Sequence, residues 1–174
     1  KKKFDILYKT GVTSQNIRNA IANFERSLAP FNSKFDRNMQ GKESSLSKQE
    51  ILGFNLFMGK AACATCHFPP TFHGTVTPKY EETELAHLGV PANADFENPV
   101  LENDLGRFNL YKTEERKGFF KTSTVRNIAL TAPYMHNGVY QTLEEVLHFY
   151  NIGGGEGLGL ENPYQTLPSD SLHL

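Results

Sequence analysis

The chain contains no tryptophan and only two cysteines and three methionines in 174 residues. Two cysteines cannot build the disulfide framework on which small secreted folds depend. No apolar run reaches the roughly 18 residues that a membrane-spanning helix needs. Neither sign of charge dominates: 18 Lys and Arg stand against 19 Asp and Glu, a net charge of −1. That balance argues against the strongly basic surface of a dedicated nucleic-acid binder, and no nucleic-acid partner is expected. Lys1, Lys2 and Lys3 are followed by neither an apolar stretch nor a small-residue cleavage site, so they do not form a complete signal peptide. No internal repeat, heptad pattern or low-complexity tract is present beyond one short run of glycines.

What is present suits one compact core. Thirteen Phe within a hydrophobic content of 39 % lead to a single domain over residues 1–174. Thr13 and Ser14 offer capping hydroxyls before Ile17, Ala20, Ile21, Phe24 and Leu28, whose spacing predicts a helix with one apolar face, stopped by Pro30. The polar stretch from Phe31 to Ser45 reads as a connection. Ser47 and Glu50 have capping-box spacing for a second helix, whose Ile51, Phe54, Leu56, Phe57 and Met58 lead towards Cys63. From Pro69 to about Lys121, Pro69, Pro70, Pro78, Pro91 and Pro99 break the pattern. That excursion should hold short helices or turns and wrap a site or cofactor. A helical turn is expected around Thr124 to Leu130, stopped by Pro133. Thr142 and Glu145 form a second capping box, for a helix in which Leu143, Val146, Leu147 and Tyr150 share a face. It should end at Asn151 before Gly153, Gly154 and Gly155.

Both cysteines fall in the pentapeptide Cys63-Ala64-Thr65-Cys66-His67, the attachment signature of c-type haem. Two thiols three residues apart on one turn can each add to a haem vinyl group, and the adjacent imidazole then serves as the proximal iron ligand. A thioredoxin-like dithiol needs a preceding strand, whereas a helix is expected here. A finger-like zinc site needs a second ligand pair, and only His73 and His87 lie near. Two chance buried cysteines are the plain alternative. Haem is preferred because the chain's whole cysteine content lies in the pentapeptide.

The stretch from Leu46-Ser47-Lys48-Gln49-Glu50 through Phe57 and Gly59-Lys60 to the pentapeptide resembles the bacterial di-haem cytochrome c peroxidase family, which includes the methylamine-utilisation di-haem enzymes. So do Phe24-Glu25-Arg26-Ser27-Leu28, Asp104-Leu105-Gly106-Arg107, the run from Thr122 through Tyr134-Met135-His136-Asn137-Gly138, and Thr142-Leu143-Glu144-Glu145-Val146. The resemblance implies a mainly α, cytochrome c-like haem domain with long irregular loops. It maps onto the carboxy-terminal haem domain of such proteins, with residues 1–45 as an interdomain helix and connection. Family members carry two haems and process hydrogen peroxide at the amino-terminal one. This chain has one attachment motif, so the peroxide-binding domain and its catalytic residues are expected outside it.

The resemblance also implies a sixth iron ligand. In the family's peroxidases a methionine lies fourteen residues beyond the histidine matching His136. Here that position is Tyr150. A tyrosine ligates iron at the equivalent place in the methylamine-utilisation branch, and its anionic charge should lower the potential. The plain reading of Tyr150 is a core tyrosine. Met135 is the chemical alternative as ligand, since a thioether commonly partners histidine in c-type cytochromes.

Arg126 is a candidate partner for a haem propionate, against the plain reading of an exposed helix-end arginine. His136 matches a family position close to the haem. Carbonyls matching Thr131 and Pro133 hold a calcium ion in the family. His73, His87, His148 and His173 read as ordinary surface or loop histidines, and Glu81-Glu82 and Glu114-Glu115 as solvated loops. The expected function is electron transfer by one covalent haem c within a two-haem peroxidase-type enzyme. The expected partners are the amino-terminal haem domain, an electron-donor protein and hydrogen peroxide. A mono-haem electron carrier without catalysis is the alternative. Haem attachment occurs outside the cytoplasmic membrane, so a periplasmic or exported location, with or without a membrane anchor, is expected.

Overall fold

The computed structural model describes residues 2–28, 31–42 and 46–168. Pro30, expected to stop the first helix, and His173 lie outside the described residues. The chain falls into two compact units, Lys1–Ser47 and Lys48–Leu174.

The first unit holds α1 (Lys2–Leu7), α2 (Ser14–Ser27) and α3 (Lys34–Met39). Thr13 caps α2, its hydroxyl accepting the Asn16 N–H. The buried Asn16 amide closes the preceding turn by donating to Thr10 Oγ1 at 2.8 Å and the Gly11 carbonyl at 2.7 Å. The stretch from Phe31 to Ser45 is more than a connection. Ser33 and Asp36 form a reciprocal capping box that starts α3, which satisfies helix-end donors that six residues alone leave open. The apolar face expected of α2 exists, but Ile17, Ile21, Phe24 and Leu28 along it are exposed.

The second unit opens with α4 (Lys48–Met58), which starts one residue after Ser47. A 3-10 turn follows at Cys63–Thr65. The proline-rich excursion contains α5 (Phe108–Tyr111), a 3-10 turn at Glu114–Arg116 and a small antiparallel ribbon. In that ribbon β1 (Leu85–Ala86) pairs with β2 (Phe120–Lys121), Leu85 opposite Lys121 and Ala86 opposite Phe120. The helical turn expected within Thr124–Leu130 is a 3-10 turn confined to Ile128–Leu130. Finally come α6 (Leu143–Asn151), with both halves of the Thr142–Glu145 capping box formed, and α7 (Gly154–Gly157). The glycine run therefore ends one helix and starts another turn. Among the described residues no helix is long and apolar enough to cross a membrane.

The core of this unit is small. Val90, Tyr134, Tyr140 and Phe149 are its buried hydrophobic members, with Leu143, Val146, Met135 and Tyr150 among the side chains packed around them. Phe149 is fully buried, whereas Leu147, expected on the buried face of α6, is 53 % exposed. A nine-residue helix buries a stripe roughly 100° wide, and the stripe observed is centred on Phe149 and its neighbours Val146 and Tyr150. On α4, Ile51, Leu56 and Met58 are exposed, while Phe54 and Phe57 are half-buried.

Candidate haem site

The pentapeptide folds on itself. Ala62 enters it in the left-handed conformation. The Cys63 carbonyl then accepts the N–H groups of Cys66 at 3.3 Å and His67 at 2.9 Å. One turn thereby carries both thiols and the imidazole. Both cysteines are free and half-buried, and burial raises the pKa of both thiols above the ordinary value. Reduced, unpaired thiols are what the net addition of S–H across a vinyl group requires.

The loops around His67 are sewn together by backbone. Phe68 N donates to the His73 carbonyl, Val125 N to the Phe72 carbonyl, and Gly74 N to the Thr122 carbonyl. Thr124 Oγ1 donates to the Thr71 carbonyl at 3.0 Å. His67 is half-buried within this frame, and burial holds its imidazole below the ordinary pKa, against the opposing pull of the Ser123 and Phe72 carbonyls. It is therefore neutral, as an iron ligand must be. Its Nδ1 is enclosed and finds no hydrogen-bond partner; the two carbonyls face the ring without making a well-formed bond to that nitrogen. A buried polar nitrogen left in this state is unfavourable in isolation.

Tyr150 approaches from α6. Burial, with the charges of Cys66 and Cys63 acting in the same direction, pushes its phenol up to about 12. The phenol and the two thiols thus share one neighbourhood. Tyr150 is closely surrounded by protein yet keeps part of its surface accessible. Met135 also packs against the core around Tyr150. It sits in the left-handed conformation in a tight loop closed by Tyr134 N donating to the Tyr140 carbonyl at 2.7 Å.

The remaining sequence-picked residues fall around this centre or away from it. Arg126 donates through Nε and Nη2 to the Pro70 carbonyl and lies over the Phe72 ring at 5.4 Å, so it is tied to the loop just after His67. Phe57 of α4 meets the same Phe72 edge-on at 5.6 Å. His136 stacks on Phe120, with centroids 3.6 Å apart and planes at 17°. Its imidazole is lowered by burial, opposed by Asp104 and Glu102. Thr131 and Pro133 are exposed beside the Ile128–Leu130 turn, and the Thr131 hydroxyl donates to the Ile128 carbonyl. Among the described residues no group of three His, Cys, Asp or Glu side chains is arranged to hold a metal ion. His87, read as an ordinary loop histidine, is half-buried with Nδ1 enclosed and unpartnered. His148 meets Phe96 edge-on at 4.7 Å.

Sequence reasoning missed the Ser123 and Phe72 carbonyls, which belong to the backbone and leave no trace in residue type. It also missed Phe149 and Tyr140, the fully buried rings beneath Tyr150, which stand 5.6 Å apart. A stripe drawn one residue further round α6 would have included Phe149. The donor set fits a covalently held haem: two free thiols, a neutral imidazole with an unsatisfied buried nitrogen, and a phenol within electrostatic reach of those thiols.

Known proteins agree with this chemistry. The family described as di-haem cytochrome c peroxidase matches residues 1–44. The cytochrome-c peroxidase IdrP2 of Pseudomonas sp. (strain SCT) is 35 % identical over 163 residues, covering 86 % of this chain and 44 % of that protein. The methylamine utilization protein MauG of Methylorubrum extorquens is 33 % identical over 147 residues, covering 83 % of this chain and 36 % of that protein. A crystal structure of a MauG-like protein associated with microbial copper homeostasis matches with a TM-score of 0.67 at 27 % identity, covering 97 % of this chain and 49 % of that one. The chain spans less than half the length of the curated relatives it matches. The family match falls in the first unit, while the two relatives align with more than four-fifths of the chain, so the assignment does not rest on the pentapeptide alone. The chain belongs to the di-haem cytochrome c peroxidase and MauG family.

Proposed function

We propose that this chain is the carboxy-terminal, electron-transferring half of a two-haem peroxidase-type enzyme. It would pass electrons to or from a peroxide-reactive haem in an amino-terminal domain. Haem c, when bound, supplies a one-electron iron centre whose potential depends on its axial ligands. Cys63 and Cys66 anchor the group through thioether bonds. His67 offers a neutral imidazole as proximal ligand, within the frame sewn by residues 68–74 and 122–125. Tyr150 would supply the second protein ligand to the iron, and its phenol would have to give up a proton to bind as an anion. Its burial beside two sulfurs makes that loss unfavourable in the haem-free chain, so metal charge has to supply the difference. Arg126, fixed to the loop after His67, neutralises a propionate. Met135 packs against the core beneath α6 and His136 stacks on Phe120, and the exposed Thr131 and Pro133 would offer carbonyls to a calcium ion whose other ligands come from elsewhere.

The observation that carries this reading is the shared neighbourhood of the Tyr150 phenol and the two thiols. Haem attachment occurs outside the cytoplasmic membrane, which supports a periplasmic or exported location, with or without a membrane anchor, and the donor of electrons would be a separate redox protein.

The test uses the whole protein that carries this sequence. Cys63→Ser combined with Cys66→Ser should lower the haem content by one per chain in a pyridine haemochrome assay. It should also abolish oxidation of a reduced donor cytochrome by hydrogen peroxide. Undiminished turnover with that haem gone would overturn the electron-transfer role.

A further inference from the structure

We propose that Gln165 is a positioning residue for Tyr150, an inference that rests on Tyr150 being the sixth ligand. Tyr150 is the next-to-last residue of α6, where helices ordinarily fray. Beyond it the chain runs into Gly153, Gly154 and Gly155. Gly153 and Gly154 take positive φ values of 94° and 66°, and such a run holds one conformation only under outside restraint. Gly153 N donates to the Tyr150 carbonyl at 3.2 Å, so any movement of Gly153 is felt at Tyr150.

Gln165 supplies the restraint. Its Nε2 donates to the Gly153 carbonyl at 2.9 Å and to the Leu167 carbonyl at 2.9 Å. Its Oε1 accepts the Glu156 N–H at 2.9 Å and Asn162 Nδ2 at 3.2 Å. All four hydrogen-bonding valences of the amide are used, and the two donor bonds fix which end points at Gly153. The far side of the loop is closed by Gly155 N donating to the Leu88 carbonyl at 2.9 Å. Gly89 packs so closely there that a Cβ on Gly155 would sit 2.5 Å from its carbonyl oxygen. The segment bearing Gln165 is itself anchored, Thr166 N donating to the His87 carbonyl at 2.9 Å. One neutral amide thus links a fixed segment to the peptide next to the ligand-bearing turn, without touching Tyr150.

The experiment compares Gln165→Ala, Gln165→Glu and Tyr150→Phe in the haem-loaded chain, titrating the oxidised form with cyanide and following amide hydrogen exchange over residues 150–156. Gln165→Ala should raise cyanide affinity by about tenfold, as loss of a net hydrogen-bond contribution near the ligand implies. It should also speed exchange at Gly153 and Glu156. Gln165→Glu retains the acceptor but loses both donors, so it should move in the same direction; it provides the answer if the alanine variant does not mature. Tyr150→Phe should raise cyanide affinity at least as much while leaving exchange at Glu156 unchanged. If both Gln165 variants bind cyanide as the parent does while Tyr150→Phe binds it more tightly, the positioning role is overturned and the ligand assignment stands. If Tyr150→Phe itself binds cyanide no more tightly than the parent, the ligand assignment fails and the positioning role falls with it.

Discussion

The Tyr150 phenol lies within electrostatic reach of the Cys66 and Cys63 thiols, which joins the last turn of α6 to the turn that follows α4. Met135 reaches the same core by another route and is the competing axial ligand. The two give opposite expectations for the haem-loaded chain. Tyr150→Phe should change the optical spectrum of the oxidised haem and raise its reduction potential, because an anionic ligand is lost. Met135→Leu, close to a volume-conserving change, should leave both as they are. The reverse pattern, with Met135→Leu altering the spectrum and Tyr150→Phe silent, would transfer the ligand role to Met135.

The helix that presents Tyr150 depends on its start and on the ring beside the ligand. The Thr142 hydroxyl accepts the Glu145 N–H at 3.2 Å, and a Glu145 carboxylate oxygen accepts the Thr142 N–H at 2.8 Å. Thr142→Ala should therefore reduce stability by about 1 kcal/mol. Phe149→Ala empties the centre of the core and should cost about 3–5 kcal/mol. Denaturant melts of the haem-free chain measure both. Equal effects for the two variants would mean that α6 gains little from packing on Tyr140.

These elements show what the sequence exposes and what it hides. The Thr142 and Glu145 pair was legible because a capping box is a local pattern with a fixed spacing. The thiols and His67 were legible for the same reason. The ribbon of Leu85–Ala86 with Phe120–Lys121 was not, since two-residue strands have no alternation to read and their partners are far apart in the chain. Gln165 was equally silent, because its four bonds depend on where a glycine loop and a tail meet. Leu147 and Phe149 show a third limit. Over nine residues the apolar stripe can be drawn at more than one angle, and only the packing of Tyr140 selects Phe149.

Gly74 stands behind His67 with no room to spare. A Cβ there would lie 2.6 Å from Thr122 Cβ and 3.0 Å from the Thr122 carbonyl oxygen, while Gly74 N is bonded to that same carbonyl. Both atoms belong to Thr122, which follows β2 and precedes Ser123, whose carbonyl faces the His67 ring. Gly74→Ala should thus push the Thr122–Ser123 segment away from the imidazole. Overpacking of this kind costs about 1–3 kcal/mol. The expected readouts are a lower melting temperature and a smaller yield of chain with covalent haem after maturation. A variant of parental stability and full haem content would show that the loop can shift without disturbing His67.

Acid should weaken the fold through His87. Its ring is tilted against Phe119 at 5.4 Å, Gly118 packs on it so tightly that a Cβ would meet Nε2, and its Nδ1 is enclosed without a partner. Burial holds its pKa below the ordinary 6.5. The folded chain therefore binds fewer protons here than the unfolded chain once the pH drops to that value, and stability rises with pH across this window. Full stability is present above the unfolded-state pKa and is lost as pH falls through the folded one. His67, His73 and His136 are lowered in the same direction, also by burial, so the whole chain should show a decline on acidification. His87→Gln replaces a titrating ring with a neutral amide. Urea midpoints measured from about pH 7 down to about pH 5 should fall less steeply in that variant than in the parent, whatever its starting stability. Parallel slopes would mean that a buried His87 cation finds compensation in acid and that the decline belongs to His67, His73 and His136.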